Sequence, residues 1–329
     1  MTLLDTPLTR HVGIELPIIG GAMYPCSNPE LVAAVSEAGG IGIVQPISLT
    51  YVHRREYRAG LRYIRQLTSK PIGFNALIEA SSRIYHERMV RWVDVALEEG
   101  VRFFVTSLGN PRWVVEAASQ VGGVVYHDVT ERKWGEKGRD AGVQGLIAVN
   151  ERAGGHAGSR APEALLEELE PLGLPVVCAG GVGDAPDFVA ALRQGYAGVQ
   201  MGTRLIATTE CTASEAYKRA IVEADADDIV LTERVSGVPL AVINTPYVQR
   251  LGTKAGPLAR WMLKGRRTKR WMRTIYALRS LRQLKRSLRS AETAADYWQA
   301  GRSAGGVTRV EPVAEILARF RAAAREARG

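Results

Sequence analysis

Residues 175–204 read PVVCAGGVGDAPDFVAALRQGYAGVQMGTR, which predicts a strand, a helix and a second strand. The runs that begin at Pro175 and Gly198 are continuously apolar, as in parallel strands that are covered on both faces. Asp184 is placed to cap the helix between them, and Gly195 stands where that helix should end. The stretch therefore predicts a βα unit followed by the next strand of a parallel sheet.

The same alternation extends from the amino terminus to about Ala207. Asn28-Pro29 and Asn110-Pro111 each place a capping residue before a proline at the first helical position. The candidate strands begin near Pro17, Ile41, Pro71, Val101, Val124, Gly145, Pro175 and Gly198. Eight such units predict an α/β fold, a closed (β/α)8 TIM barrel, with an open doubly wound sheet as the alternative.

The pattern changes after about Ser214, where additions to the barrel begin. The sequence predicts a helix at 214–224 and an extended or loop region at 228–242. It then predicts a basic helical region at 256–294 and a final helix at 313–328. We expect three parts: a (β/α)8 barrel, a helical and loop insertion that caps the barrel mouth, and a C-terminal segment that returns to the barrel, at 1–213, 214–295 and 296–329.

The composition excludes several classes of protein. With 46% hydrophobic and 23% charged residues, a chain of 329 residues can bury a large core, which argues against wholesale disorder. Three cysteines without paired spacing argue against a disulfide framework and a structural zinc site, and no His and carboxylate cluster has metal-ligand spacing. We therefore expect no metal site. No apolar run reaches the roughly 18 residues of a membrane span, so we also expect a cytoplasmic protein.

The net charge of +9 comes from one segment, since Arg250 to Ser290 contains fourteen Lys or Arg and no Asp or Glu. Apolar residues recur there at helical spacing, at Trp271, Ile275, Leu278, Leu281, Leu284 and Leu288. We favour a cap helix on the barrel or a homodimer contact. Peripheral contact with an anionic membrane stays open, whereas nucleic acid is disfavoured because no recognised nucleic-acid module accompanies the basic residues.

Glycine-rich clusters follow the seventh and eighth predicted strands, at Ala179-Gly180-Gly181-Val182-Gly183 and Gln200-Met201-Gly202-Thr203-Arg204. In (β/α)8 barrels these loops often hold a phosphate, because glycine lets backbone N–H groups approach it closely. We expect Thr203 to add a hydroxyl donor and Arg204 to add charge. Plain turns are the alternative, and neither cluster matches a Rossmann or nucleotide-triphosphatase fingerprint.

A histidine flanked by glycines follows the sixth predicted strand, in residues 150–158, NERAGGHAG. His156 should face the barrel mouth, and its ordinary pKa suits proton transfer near neutral pH. His127, at the end of the fifth strand, is a weaker candidate for the same mouth. An ordinary loop histidine is the alternative for both.

Six ordered motifs carry a family resemblance: PIIGGAM at 17–23, AGGIG at 38–42, PIGFN at 71–75, AGGHAG at 153–158, AGGVGD at 179–184 and QMGTR at 200–204. Together they resemble the nitronate monooxygenase family of FMN-dependent barrels, which also includes flavin-dependent enoyl-ACP reductases and NADH:quinone reductases. The resemblance covers about residues 14–250 and returns at Tyr297 to Leu317.

The resemblance implies FMN as cofactor and His156 as catalytic base. It also implies that Ala22 and Met23 line the flavin ring, that Asn75 hydrogen-bonds the ring, and that the AGRSAGG stretch around Gly301 approaches it. The full set of implied cofactor-binding residues is Ala22, Met23, Asn75, Ala179, Gly180, Gly181, Gln200, Met201, Gly202 and Thr203.

Three positions depart from the family pattern. Arg152 stands where the family often has Glu, Asp128 where a lysine is common, and Gln144 where Asp is usual. We expect these changes to alter the charge near the flavin.

The resemblance implies two activities. The leading hypothesis is oxidation of alkyl nitronates or nitroalkanes by O2 to carbonyl compounds and nitrite. The alternative is an NAD(P)H-dependent FMN reductase that acts on an enoyl thioester or a quinone.

Overall fold

The computed structural model describes residues 3–79, 82–234, 239–254 and 297–327. It confirms the predicted closed barrel, in which eight parallel strands pair in chain order and β8 pairs with β1. Strands β1 to β8 are Ile18–Gly20, Ile41–Val44, Ile72–Ile78, Phe103–Leu108, Val124–Val129, Gly145–Val149, Val176–Ala179 and Gly198–Met201. Each begins within two residues of its predicted start.

Helices cover the outside of the barrel. In the described residues α1 to α12 are Pro7–Val12, Pro29–Glu37, Tyr57–Leu67, Arg83–Glu98, Arg112–Ser119, Arg132–Asp140, Pro162–Leu169, Ala185–Arg193, Thr203–Ile206, Glu215–Val222, Pro246–Leu251 and Val313–Glu326. The side chain of Asp184 accepts a hydrogen bond from the Asp187 N–H, which confirms the predicted cap of α8. The helix predicted to begin at Pro111 begins one residue later, with Asn110 accepting from the Arg112 N–H.

The barrel interior is packed with apolar side chains, so the barrel is not a pore. Ile19, Tyr126 and Val177 belong to this inner cluster, and Leu8 of α1 joins it from below. A Cβ on Gly198 would lie only 2.6 Å from Leu8 Cδ2, which shows how closely α1 covers the amino ends of the strands. Access is therefore left to the carboxyl ends, where the strand-to-helix loops lie.

The C-terminal part adds a hairpin and a helix to the barrel. Strands β9 (Ile229–Thr232) and β10 (Leu240–Ile243) pair antiparallel. Helix α12 packs against the barrel helices, with the Phe320 ring stacked on that of Phe188 at 5.3 Å between centroids. The predicted basic helical region lies outside the described residues. Within the described residues, no helix has the length and apolar character needed to cross a membrane.

Glycine at residue 42 allows α2 to lie directly on β2. A Cβ there would be 2.1 Å from the Val32 carbonyl oxygen. We expect Gly42→Ala to lower the free energy of unfolding by about 1–3 kcal/mol, because the helix and strand must move apart. Urea unfolding measures this difference. The control is Gly202→Ala, whose added methyl group would meet nothing nearer than Met23 Sδ at 3.5 Å; equal losses in the two variants would contradict the packing argument.

Candidate active site

Asn150, the first residue after β6, ties two loops together. Its fully buried side chain donates from Nδ2 to the Gly180 carbonyl at 3.0 Å and accepts at Oδ1 from the Arg152 N–H at 2.8 Å. Its carbonyl accepts from the Gly158 N–H at 3.1 Å, which closes the histidine-bearing loop. Sequence reasoning missed Asn150, although an amide residue between an apolar strand and a glycine-rich loop was a usable signal.

The loop after β7 has a left-handed backbone that only glycine adopts readily. Gly180 has φ 122° and Gly181 has φ 89°. A Cβ on Gly180 would lie 2.5 Å from both the Ala153 nitrogen and Asn150 Oδ1. No described group accepts a hydrogen bond from the backbone N–H of Gly181 or Val182. These two donors are therefore free for a ligand.

The loop after β8 supplies further donors. In the described part of the chain, the Gly202 N–H also lacks an acceptor. Thr203 is buried, and its Oγ1 accepts from the Gly301 N–H at 2.9 Å, which leaves the hydroxyl hydrogen to donate elsewhere. Free N–H groups and a hydroxyl on neighbouring loops suit the oxygens of a phosphate ester. The residues present thus fit the phosphate of a cofactor such as FMN.

Residues 300–306 hold these loops together. A Cβ on Gly301 would lie 2.6 Å from both the Arg152 oxygen and the Gly154 nitrogen. A Cβ on Gly183 would lie 2.2 Å from the Ser303 carbonyl oxygen. The segment therefore contacts the loops after β6, β7 and β8 at once.

The prediction that Arg204 adds charge to the phosphate loop is wrong. Its side chain is buried and forms an ion pair with Glu311 instead. Burial raises the pKa of Glu311, but hydrogen bonds from Arg319 and Arg309 outweigh this effect and lower the pKa to about 2. Arg204 thus anchors the C-terminal segment to α9 and does not face the loop donors.

His156 lies in the loop that Asn150 closes. The Gly155 carbonyl accepts from the Ala241 N–H at 2.7 Å, so β10 holds the loop from the C-terminal side. The imidazole is exposed, and no described residue hydrogen-bonds it. Desolvation by the surrounding protein lowers the pKa of His156 from its ordinary value of 6.5. The ring is therefore mostly neutral at pH 7 and can accept a proton.

The prediction that His127 faces the mouth is wrong. Its buried ring points outward, beneath α6, and Nδ1 lies 2.8 Å from Thr106 Oγ1. Burial lowers the pKa of His127 to about 4. This histidine is a neutral packing residue.

The predicted ring-side residues lie after or within strands of the barrel. Ala22 and Met23 follow β1, whereas Asn75 lies in the middle of β3 and donates weakly to the Val105 carbonyl at 3.4 Å. Gln200 lies under the turn after β1, where its Cγ would be 3.0 Å from a Cβ on Gly21.

The side chains of two further predicted residues, Ala179 and Met201, pack in the apolar core. Ala179 packs in the inner cluster of the barrel. Met201 packs its side chain in the outer core, so only its backbone is available to a ligand at the mouth.

Two of the three departures from the family pattern lie near the mouth. Asp128 points into the barrel, and Arg152 packs its side chain on Gly181. Gln144 precedes β6 at the opposite end, where its Oε1 accepts from the Val125 N–H at 2.7 Å. The expectation that Gln144 alters the charge near a bound flavin is therefore wrong.

A family model for nitronate monooxygenase matches residues 5–322. The chain belongs to the nitronate monooxygenase family. Among curated relatives, a (3aS,4S,5R,7aS)-5-hydroxy-7a-methyl-1-oxo-octahydro-1H-indene-4-carboxyl-CoA dehydrogenase of Mycobacterium tuberculosis is 33% identical over 252 residues, 75% of this chain and 68% of the relative. A probable nitronate monooxygenase of Staphylococcus saprophyticus is 27% identical over 291 residues, 75% of this chain and 81% of the relative.

Solved structures of other proteins have the same barrel fold as this chain. FabK from Thermotoga maritima is 29% identical with a TM-score of 0.76, over 98% of this chain and 96% of that one. A nitroalkane oxidase from Streptomyces ansochromogenes has a TM-score of 0.77 over 98% and 99% of the two chains, and at 22% identity it supports the fold alone. The family and these relatives show that the chain is an oxidoreductase enzyme.

The open space at Gly202 allows a direct test of the phosphate site. Gly202→Ala should fold normally, since its methyl group has room in the protein, but the methyl group would occupy the place of a bound phosphate. We expect the FMN dissociation constant to rise roughly tenfold or more, about 1.4 kcal/mol. Fluorescence titration of the apoprotein measures it. Unchanged FMN binding would remove Gly202 from the site.

Proposed function

We propose that this enzyme is an FMN-dependent oxidoreductase that acts on a thioester of the acyl-CoA type, with His156 moving the proton. The observation that supports this proposal best is the grouping of free backbone donors at Gly181, Val182 and Gly202 beside a loop that carries a neutral histidine.

In this proposal the three backbone N–H groups and the Thr203 hydroxyl would hold the FMN phosphate. The flavin ring would be lined at the mouth by Ala22, Met23, Asn75, Gly180, Gln200 and the backbone of Met201. When bound, FMN would supply the transfer of electrons. The protein contributes binding, orientation and proton transfer.

His156 acts on the substrate carbon next to the thioester carbonyl. The carbonyl makes a proton on this carbon acidic, and an unprotonated ring nitrogen of His156 accepts it. In the reverse direction the same nitrogen returns the proton. The glycines on either side leave room for the imidazole to approach a flat ligand.

Two relatives support the thioester. The indene-carboxyl-CoA dehydrogenases of Mycobacterium tuberculosis and Rhodococcus jostii are 33% and 32% identical to this chain, and their names specify a CoA thioester. CoA carries several phosphate charges. The fourteen Lys and Arg between Arg250 and Ser290 give the sequence a positive segment of complementary charge.

Nitronate oxidation is the second candidate. The family model and the Staphylococcus relatives at 26–27% identity favour it. Here His156 would take the carbon proton of a neutral nitroalkane, whereas a preformed nitronate needs no base. Oxygen would be consumed, and nitrite and a carbonyl compound would form.

Anaerobic mixing of the purified yellow protein with separate substrates distinguishes the two candidates. The thioester proposal predicts that an acyl-CoA, or NAD(P)H followed by an enoyl-CoA, changes the flavin absorbance within the turnover time. Absorbance that responds only to an alkyl nitronate, with nitrite release in air, would overturn it. A colourless protein that takes up no FMN would overturn both candidates.

His156→Asn tests the proton transfer. With a thioester or a neutral nitroalkane, we expect kcat/KM to fall about 10²–10⁴-fold while bound FMN is unchanged. With a preformed nitronate the rate should change little. His86→Asn, an exposed histidine of α4, is the control. Full thioester activity in His156→Asn would remove the base assignment.

The wild-type pH profile gives an independent check. A base is lost as pH falls through its pKa, and the pKa of His156 lies below 6.5. The acid limb of kcat/KM should therefore lie below pH 6.5 and be absent in His156→Asn. An acid limb above pH 6.5 would contradict the lowered pKa.

A further inference from the structure

Asp128 lies at the carboxyl end of β5 and points into the barrel. Side chains alternate along a strand, and Tyr126 belongs to the inner cluster while His127 points outward. Asp128 therefore points inward again, one layer nearer the mouth. Its carboxyl group faces the side chain of Gln200 on β8.

One oxygen of this carboxyl group has no partner. Oδ1 of Asp128 is shielded from solvent, and no described residue hydrogen-bonds it. Burial raises the pKa of Asp128 to about 7, although the hydrogen bond from Gln200 opposes this rise. An unpaired polar oxygen in a protein interior costs free energy. Its position beside Gln200 suggests that a partner arrives with the ligand.

We propose that Asp128 contacts the isoalloxazine ring of FMN and sets the electron affinity of the cofactor, with Gln200 as the positioning residue. This inference rests on the proposed FMN site. The polar edge of the ring carries an N–H between two carbonyl groups, which complements a carboxyl group. A negative charge beside the ring opposes the addition of electrons. The carboxylate form of Asp128 therefore lowers the reduction potential of the bound cofactor.

The test compares FMN-loaded wild type with Asp128→Asn, which keeps the shape of the side chain but removes its charge. Equilibration with reference dyes at pH 8.5 under nitrogen measures the reduction potential of bound FMN. We expect the ratio of reduced to oxidised FMN at a fixed potential to rise about tenfold, or about 30 mV for a two-electron couple. The FMN dissociation constant is measured on the same samples.

The control is Asp140→Asn, an exposed residue at the end of α6 that pairs with Arg139. It should change neither quantity. The melting temperature of Asp128→Asn apoprotein should match or exceed that of wild type, because a buried ionisable group is replaced by a neutral one. A rise in potential confined to Asp128→Asn supports the contact. A potential that is unchanged or lower in Asp128→Asn, on a wild type that holds FMN, overturns this inference alone; a wild type without FMN overturns the proposed function with it.

Discussion

Close approach of backbone to backbone at four glycines is the constraint on which the site depends. Gly154, Gly180, Gly183 and Gly301 each have less than 3 Å between an added Cβ and the backbone of another segment. A side chain at any of them would separate the loops after β6, β7 and β8 from one another or from residues 300–306. The glycines thus determine the shape of the mouth.

Buried polar side chains hold the loops in the arrangement that the glycines allow. Asn150 joins the histidine loop to the loop after β7 through its amide. Arg204 and Glu311 join α9 to the C-terminal segment through an ion pair that is almost wholly buried. Buried polar groups of this kind are costly when they lose a partner, so each favours one arrangement of the loops.

The barrel itself was readable from the sequence, because continuous apolar runs and helix caps recur with a regular period. The glycine clusters at 179–183 and 200–204 were also readable, since strand order places them on neighbouring strands. Side-chain direction was less accessible. His127 lies in β5, and Arg204 follows β8. The alternation of side chains along β5 turns His127 outward, and an ion pair with Glu311 holds Arg204 away from the loop donors.

A partner that is remote in sequence explains why Asn150 was missed. Its role depends on a hydrogen bond to Gly180, and the sequence alone does not pair these two residues. The position of Gln144 was also misjudged. The sequence motif alone does not show at which end of the barrel this residue lies, because that depends on where β6 begins. Composition and periodicity predict the fold. The charge around the mouth depends on contacts between separate strands, which the sequence alone does not predict.

The central claim is that backbone donors of adjacent loops bind the phosphate of one FMN. Calorimetric titration of the apoprotein with FMN and with riboflavin, which lacks the phosphate, tests it most directly. The account predicts one FMN per chain and much weaker binding of riboflavin. Equal affinity for the two flavins, or no binding of either, would contradict it.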